Sequence, residues 1–166
     1  MYYTMKYDSP VGMLTVAANE DAVTALVLDG QKYEAEHLPR AARLCAAEEA
    51  PLPLKKARAW LDDYFAGGRP DPARLPLAPE GSEFRRRVWQ ALARIPYGET
   101  TTYGALAETV GGSARAVGGA VGHNPISIII PCHRVIGADG SLTGYAGGIE
   151  KKTRLLALEG ALPAEH

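Results

Sequence analysis

Four prolines fall within the eleven residues from Arg69 to Pro79, and no regular element can run through them. Proline removes a backbone donor and pushes the residue before it out of the helical region, so neither a helix nor a central strand fits here. The segment reads as an extended linker over residues 69–80, between an N-terminal domain over 1–68 and a C-terminal domain over 81–166. A chain of 166 residues is long enough for one substantial domain or for two small ones that share an interface.

The two sides of this linker carry different patterns. Leu14-Thr15-Val16 and the run from Ala22 to Leu28, separated by turn-forming residues, predict two or three antiparallel strands. Leu54, Ala57, Leu61, Tyr64 and Phe65 share one face of a helix that Gly67-Gly68 ends. Beyond the linker, Ser82 caps a helix from Glu83 to about Arg94. Thr101 or Thr102 caps a short one to Thr109, and Ser113 caps another over Ala114 to Val121. Two short helices around Val110-Gly111-Gly112 are the pattern of a helix-turn-helix. Ile126 to Ile130 predicts a strand, and Val135-Ile136 and Leu142-Thr143 around Asp139-Gly140 predict a hairpin, hence a winged arrangement. A helix from Glu150 to Leu158 closes the chain at Gly160.

No run of about 18 apolar residues exists to span a membrane. The start of the chain lacks the apolar core of a secretory signal. Two cysteines, Cys45 and Cys132, make neither a disulfide framework nor a multi-cysteine metal site, and a cytoplasmic location with reduced thiols follows. Net charge is −1, but Arg85-Arg86-Arg87, Arg94, Arg115 and Arg134 gather in the C-terminal half. Charge alone does not separate a phosphate-binding face from a solvated helix. The helix from Ala114 is more telling. Ala114, Ala116, Gly118, Gly119 and Ala120 allow close approach to a surface but offer no group to hydrogen-bond a base edge, and only Arg115 reaches out. The same glycines would also serve tight packing against the core. On the DNA reading, the helix binds with little sequence preference and inserts one arginine.

The chemistry-bearing step is Pro131-Cys132-His133-Arg134, directly behind Ile128-Ile129-Ile130. A buried cysteine is usually a small hydrophobe. Here His133 stands beside it as a proton acceptor, with Tyr103 and Asn124 upstream and a Gly-rich, Tyr-containing segment downstream, a set that looks like an activated nucleophile and its substrate-holding groups. On a regular strand, neighbours project to opposite sides, so the proton would pass through a bridging water or a local kink.

The stretch from Phe84 to Gly160 resembles the O6-alkylguanine-DNA alkyltransferases. The likeness rests on Pro131-Cys132-His133-Arg134-Val135, Tyr103-Gly104-x-Leu106-Ala107, the run Ala114 to Ala120, Asn124-Pro125, Gly144-Tyr145-Ala146-Gly147-Gly148 and Leu158-Glu159-Gly160. It implies an α+β protein, with a small ribonuclease-H-like sheet and helix domain followed by a winged helix-turn-helix-like domain that carries the site. The implied reaction is direct, irreversible transfer of an alkyl group from O6 of guanine, and from O4 of thymine, in double-stranded DNA to Cys132, once per molecule. By the same resemblance His133 is the base, Glu159 its partner, and Asn124 the holder of the adjoining turn. Tyr103 rotates the nucleotide outward and donates to the leaving guanine. Arg115 fills the gap in the stack, with Ala114, Ala116, Gly118 and Gly119 beside it on the DNA, and Val135, Tyr145, Ala146 and Gly147 line the base pocket. The implied protein is a monomer without cofactor. Cys45 and His37 alone are too few ligands for the zinc that some relatives hold, so no metal is expected.

Ser127 stands where some relatives carry proline, and Ala146 where some carry serine, which bears on pocket width. Three other readings compete. Alkyltransferase-like damage binders carry tryptophan where Cys132 stands. A winged-helix regulator would need a recognition face richer than alanine and glycine. A Cys-His hydrolase would need an oxyanion hole, which no segment announces.

Overall fold

The computed structural model describes residues 1–142 and 144–162. Strands β1 (Tyr3–Ser9), β2 (Gly12–Ala18) and β3 (Val23–Leu28) form an antiparallel meander, with Met5 opposite Val16 and Val16 opposite Leu26. A short helix α1 (Glu34–His37) follows, and β4 (Arg43–Leu44) then joins β1 in parallel, giving the order β3-β2-β1-β4. Helix α2 (Leu52–Phe65) packs on this sheet. Pro53 lies in its first turn, where a missing donor does no harm. Leu54, Ala57, Trp60, Leu61 and Tyr64 are buried along one side.

The proline-rich segment is neither extended throughout nor loose: Pro72–Arg74 form a 3-10 turn in which Asp71 Oδ1 accepts from Ala73 N at 2.9 Å, and extended chain follows. Val23 N donates to Pro76 O at 2.8 Å and Ala78 N to Val23 O at 2.8 Å, so the segment covers part of the open edge of β3. Sheet edges left bare invite foreign strands, and this one is occupied from within the chain.

Helix α3 (Glu83–Leu92) starts at Ser82, whose hydroxyl accepts from Arg85 N, and buries Val88, Trp89 and Leu92. After β5 (Thr101–Thr102) come α4 (Tyr103–Val110), capped by Thr102, and α5 (Ala114–Gly122), capped by Ser113. The indole of Trp89 donates to Ala120 O at 2.8 Å and fixes α5 against α3. Strand β6 (Val135–Ile136) and helix α6 (Ile149–Leu158) complete the elements of the described residues. Buried side chains from both halves, among them Leu14, Leu26, Leu61, Trp89, Ile126 and Leu155, form one continuous core.

Two expectations need correction. Residues 126–130 are not a strand. Only Ile126 makes a bridge, to Leu26, and the segment then folds back, with Ile129 N donating to Ser127 O at 2.8 Å and Ile130 N to Ile126 O at 3.0 Å. Ile128 sits at φ +71°, a conformation that β-branched residues rarely adopt and that stores on the order of 1–3 kcal/mol. Its side chain is fully buried, which helps to hold it there. At Pro131, φ −80° and ψ 66° with Cys132 N donating to Ile130 O at 2.8 Å make an inverse γ-turn, and Cys132 opens a 3-10 turn over Cys132–Arg134. Three successive isoleucines read as a strand locally, whereas buried turn hydrogen bonds decide the path. The second correction concerns the hairpin. The turn at Asp139-Gly140 forms, with Gly137 N donating to Ser141 O at 2.9 Å, but β6 pairs in parallel with β5, Thr101 facing Val135. Among the described residues no strand follows the turn; Thr143 lies outside them.

Candidate active site

The turn that presents Cys132 is held from α5's far end. Asn124 Nδ2 donates to Ile130 O at 2.8 Å and to Ile126 O at 3.4 Å, while its Oδ1 accepts from Ile126 N at 3.1 Å. One buried amide thus satisfies both ends of a folded loop. Cys132 is only 6% exposed. Burial pushes its thiol up, against the opposing influence of Asn124, the Lys152 charge and Ser127. The resting group is therefore the thiol, and a base must take its proton when a substrate arrives.

His133 is completely buried, and its Nε2 lies 2.7 Å from Glu159 Oε2. An ionised Glu159 places the imidazole proton on Nε2 and leaves the Nδ1 lone pair as the acceptor. Nδ1 has no hydrogen-bond partner among the described residues. Burial lowers the His133 pKa, partly offset by the hydrogen bond and charge of Glu159, so the ring is neutral and ready to accept.

Glu159 is a hub. Besides His133, its Oε2 accepts from the Tyr64 hydroxyl at 2.6 Å and Arg134 Nη2 at 3.0 Å, and its Oε1 accepts from Arg134 Nε at 2.7 Å and Gly98 N at 3.3 Å. Burial would raise this carboxyl, but His133 and Arg134 outweigh it and hold the group well below the usual carboxylate range. Arg134 is in turn anchored by Nη1 on Ile95 O at 2.6 Å. Gly98, at φ +82°, lets the backbone close on the hub, since a Cβ there would stand 3.1 Å from Glu159 O.

Lys152 is 1% exposed and donates through Nζ to Val135 O at 2.5 Å, close enough to the thiol for their charges to interact. Burial lowers its pKa to about 8, opposed by the Cys132 charge. Tyr103, half-buried at the start of α4, lays its hydroxyl against Gly144, where a Cβ would come within 2.9 Å, and its ring beside Gly118. Burial and then the Cys132 charge raise its pKa, so it stays a donor. Tyr145 is buried with its hydroxyl unpartnered among the described residues, and burial and then the Cys132 charge raise its pKa. Gly147 makes room for the Tyr145 ring, since a Cβ there would stand 2.8 Å from it. Gly144, Tyr145 and Ala146 line an open cavity of about 140 Å³ together with Lys32, Tyr33 and Gly122.

Cys132, His133, Glu159, Asn124, Val135 and Tyr145 are thus brought into one buried cluster, with Tyr103 at its side. Arg115, Ala114, Ala116 and Gly119 lie instead on the exposed face of α5, with Gly118 half-covered. Sequence reasoning missed Tyr64 and Lys152, and held Arg134 as part of the Cys132 signature without giving it a role of its own. A signal for Lys152 was present: Lys152, Leu155, Leu156 and Glu159 stand at i, i+3, i+4 and i+7, so the buried stripe of α6 carries both charges to the core. No helix among the described residues is long and apolar enough to cross a membrane.

The chain is similar to known proteins along its whole length. The model of the 6-O-methylguanine DNA methyltransferase ribonuclease-like domain matches residues 1–79, and that of the DNA binding domain matches residues 83–161. The methylated-DNA–protein-cysteine methyltransferase of Mycolicibacterium paratuberculosis is 49% identical over 154 residues, 92% of this chain and 88% of the relative. That of Haemophilus influenzae is 44% identical, with 96% and 86% covered. The crystal structure of Mycobacterium tuberculosis O6-methylguanine methyltransferase superposes with a TM-score of 0.82 at 45% identity, covering 99% of this chain and 96% of that one. The M. tuberculosis protein in complex with DNA gives 0.83 at 43%, with 98% and 96% covered. With both halves matched in order and the thiol, imidazole and carboxylate assembled in the fold, the chain belongs to the 6-O-methylguanine DNA methyltransferase family.

Proposed function

We propose that this protein repairs alkylated double-stranded DNA by moving a methyl group from O6 of guanine, or O4 of thymine, directly to Sγ of Cys132. The observation that carries the reading is a buried thiol next to an imidazole whose Nε2 is fixed by a charged carboxylate, leaving Nδ1 to take up a proton. The thiol proton passes to Nδ1 of His133 through a water, and the sulfur then attacks the methyl carbon in line. The carbon–oxygen bond breaks as the sulfur–carbon bond forms. Negative charge grows on the departing guanine, and a hydrogen bond from the Tyr103 hydroxyl strengthens as it does, so the interaction is worth more in the transition state than in the bound substrate. Lys152 favours the thiolate by its charge, and the neutral resting imidazole is free to accept.

The base reaches this site only when rotated out of the duplex. The small side chains of α5 permit close approach, Arg115 occupies the vacated place in the stack, and the pocket beside Tyr145, Ala146, Gly147 and Val135 receives the base. Residues 81–166 bind DNA and accept the alkyl group, residues 1–68 support them, and residues 69–80 connect the two. The product is a thioether with no leaving group, so each molecule acts once, as a monomer without cofactor. Its reduced cysteines fit the cytoplasm, at the nucleoid while on DNA.

The test is intact-protein mass after incubation with a duplex holding one O6-methylguanine. The protein gains a single methyl on Cys132 and saturates at one per molecule. Transfer that persists in Cys132→Ser, or turnover beyond one, would sink the proposal.

A further inference from the structure

We propose that Tyr64, on α2 in the N-terminal half, is a positioning residue for the alkyl transfer, acting on His133 through the shared oxygen of Glu159. This deepens the function proposed above and rests on it. The Tyr64 hydroxyl and His133 Nε2 converge on one atom, Glu159 Oε2, at 2.6 Å and 2.7 Å, although the tyrosine and the glutamate are 95 positions apart in the chain. Tyr64 is 1% exposed, and its ring is set by Trp60 stacked at 5.5 Å and by Phe65 and Tyr97 edge-on at 5.0 Å and 6.1 Å. These ring contacts and the hydrogen bond to Glu159 together fix where the hydroxyl points. Burial and then the Glu159 charge raise its pKa far above neutrality, so it donates at every pH at which the protein functions.

Two consequences follow from a donor at that oxygen. Glu159 is held in the rotamer that faces His133, which orients the imidazole. Part of the carboxylate charge is also drawn away from Nε2, so the imidazolium is less stabilised and the ring stays neutral to lower pH. The N-terminal half is then more than a support: it supplies one of the groups that set the base.

The test compares Tyr64→Phe with the unchanged protein in two ways. Loss of the hydroxyl returns charge to Oε2, so the His133 imidazole titration, followed by NMR, moves upward by at least about 0.5 in pH. The acid limb of methyl transfer to Cys132 moves the same way, while affinity for undamaged duplex is unchanged. Site-specific 3,5-difluorotyrosine at position 64 keeps the shape and donates more strongly, so it moves both curves downward, and it serves even where the phenylalanine protein folds poorly. Coincident imidazole titrations for the three proteins overturn the proposal. Because that titration needs no substrate, an absence of methyl transfer in the unchanged protein would reject the proposed function while the effect of Tyr64 on His133 is still decided by the imidazole curves.

Discussion

Replacing Glu159 by glutamine changes one oxygen to an amide nitrogen and removes one charge, at a carboxylate that accepts five hydrogen bonds. Either orientation of the new amide fails. With nitrogen at the Oε2 position it faces His133, Tyr64 and Arg134 Nη2; at the Oε1 position it faces Arg134 Nε and Gly98 N. Arg134 is 6% exposed and its charge is left uncompensated. Breaking a buried pair in this way costs about 3–5 kcal/mol, and each donor left without an acceptor about 1–3 kcal/mol before the site relaxes. Relaxation recovers part of the sum, and the expected loss is about 4 kcal/mol. A domain of this size has about 5–15 kcal/mol in all, so the variant still folds, with a Tm lower by about 10 °C. Urea denaturation at pH 7 measures the loss directly. The sign of its pH dependence is also set. The folded carboxyl lies below its unfolded value, so its contribution is complete above the ordinary carboxylate pKa and disappears as pH falls through the depressed one. The part of the stability gap that comes from the Glu159 titration is therefore constant from pH 7 to about 5 and shrinks below that. Methyl transfer falls by at least about 100-fold, the range for losing an oriented base. A stability loss under about 1 kcal/mol would show that the hub is not held by charge, and the reasoning would fail.

Two further outcomes are expected. Arg115→Ala slows repair in duplex by about tenfold or more while leaving transfer from free O6-benzylguanine within about twofold, because only the duplex substrate needs its gap filled; equal losses would exclude that role. Lys152→Met removes a cation whose folded pKa is lowered to about 8 from 10.5. Between those values the unfolded chain binds more protons, so the unchanged protein gains stability on the variant as pH rises from 8 to 10.5, by up to about 3 kcal/mol in paired denaturation curves.

Much of this molecule was legible in its sequence because its local signals agree with its fold. Ser82, Thr102 and Ser113 each accept the backbone hydrogen bond that their positions foretold, and the helix-turn-helix followed from them. The strand pattern of the first thirty residues likewise reappears as β1 to β3. The loop carrying Cys132 was misread because its path depends on Asn124 reaching across six residues to Ile130 O and on a core that tolerates Ile128 in a left-handed conformation, neither of which a hydrophobic run reveals. Cys132 and His133 stand on one tight turn rather than on opposite faces of a strand. Glu159 entered only through resemblance, although its spacing from Lys152, Leu155 and Leu156 already put it on the buried stripe of α6. Tyr64 was not legible at all as part of the site. On α2 it reads as one more core aromatic, and its hydroxyl meets a partner from the other end of the chain.

The attachment of residues 125–127 to β3 bears on how such a protein can be cut and recombined. Leu26 N donates to Pro125 O at 2.9 Å and Ser127 N to Leu26 O at 3.0 Å, next to the place where Pro76 and Ala78 hold Val23. Severed at the prolines, the first half would present an open strand of buried character, and the second would bare Ile126, Ile128 and Ile129 to solvent. Neither half is a cassette that can be moved alone. A chimera between relatives needs residues 23–28 and 124–132 from the same parent, and two separately expressed fragments should remain soluble only when made together.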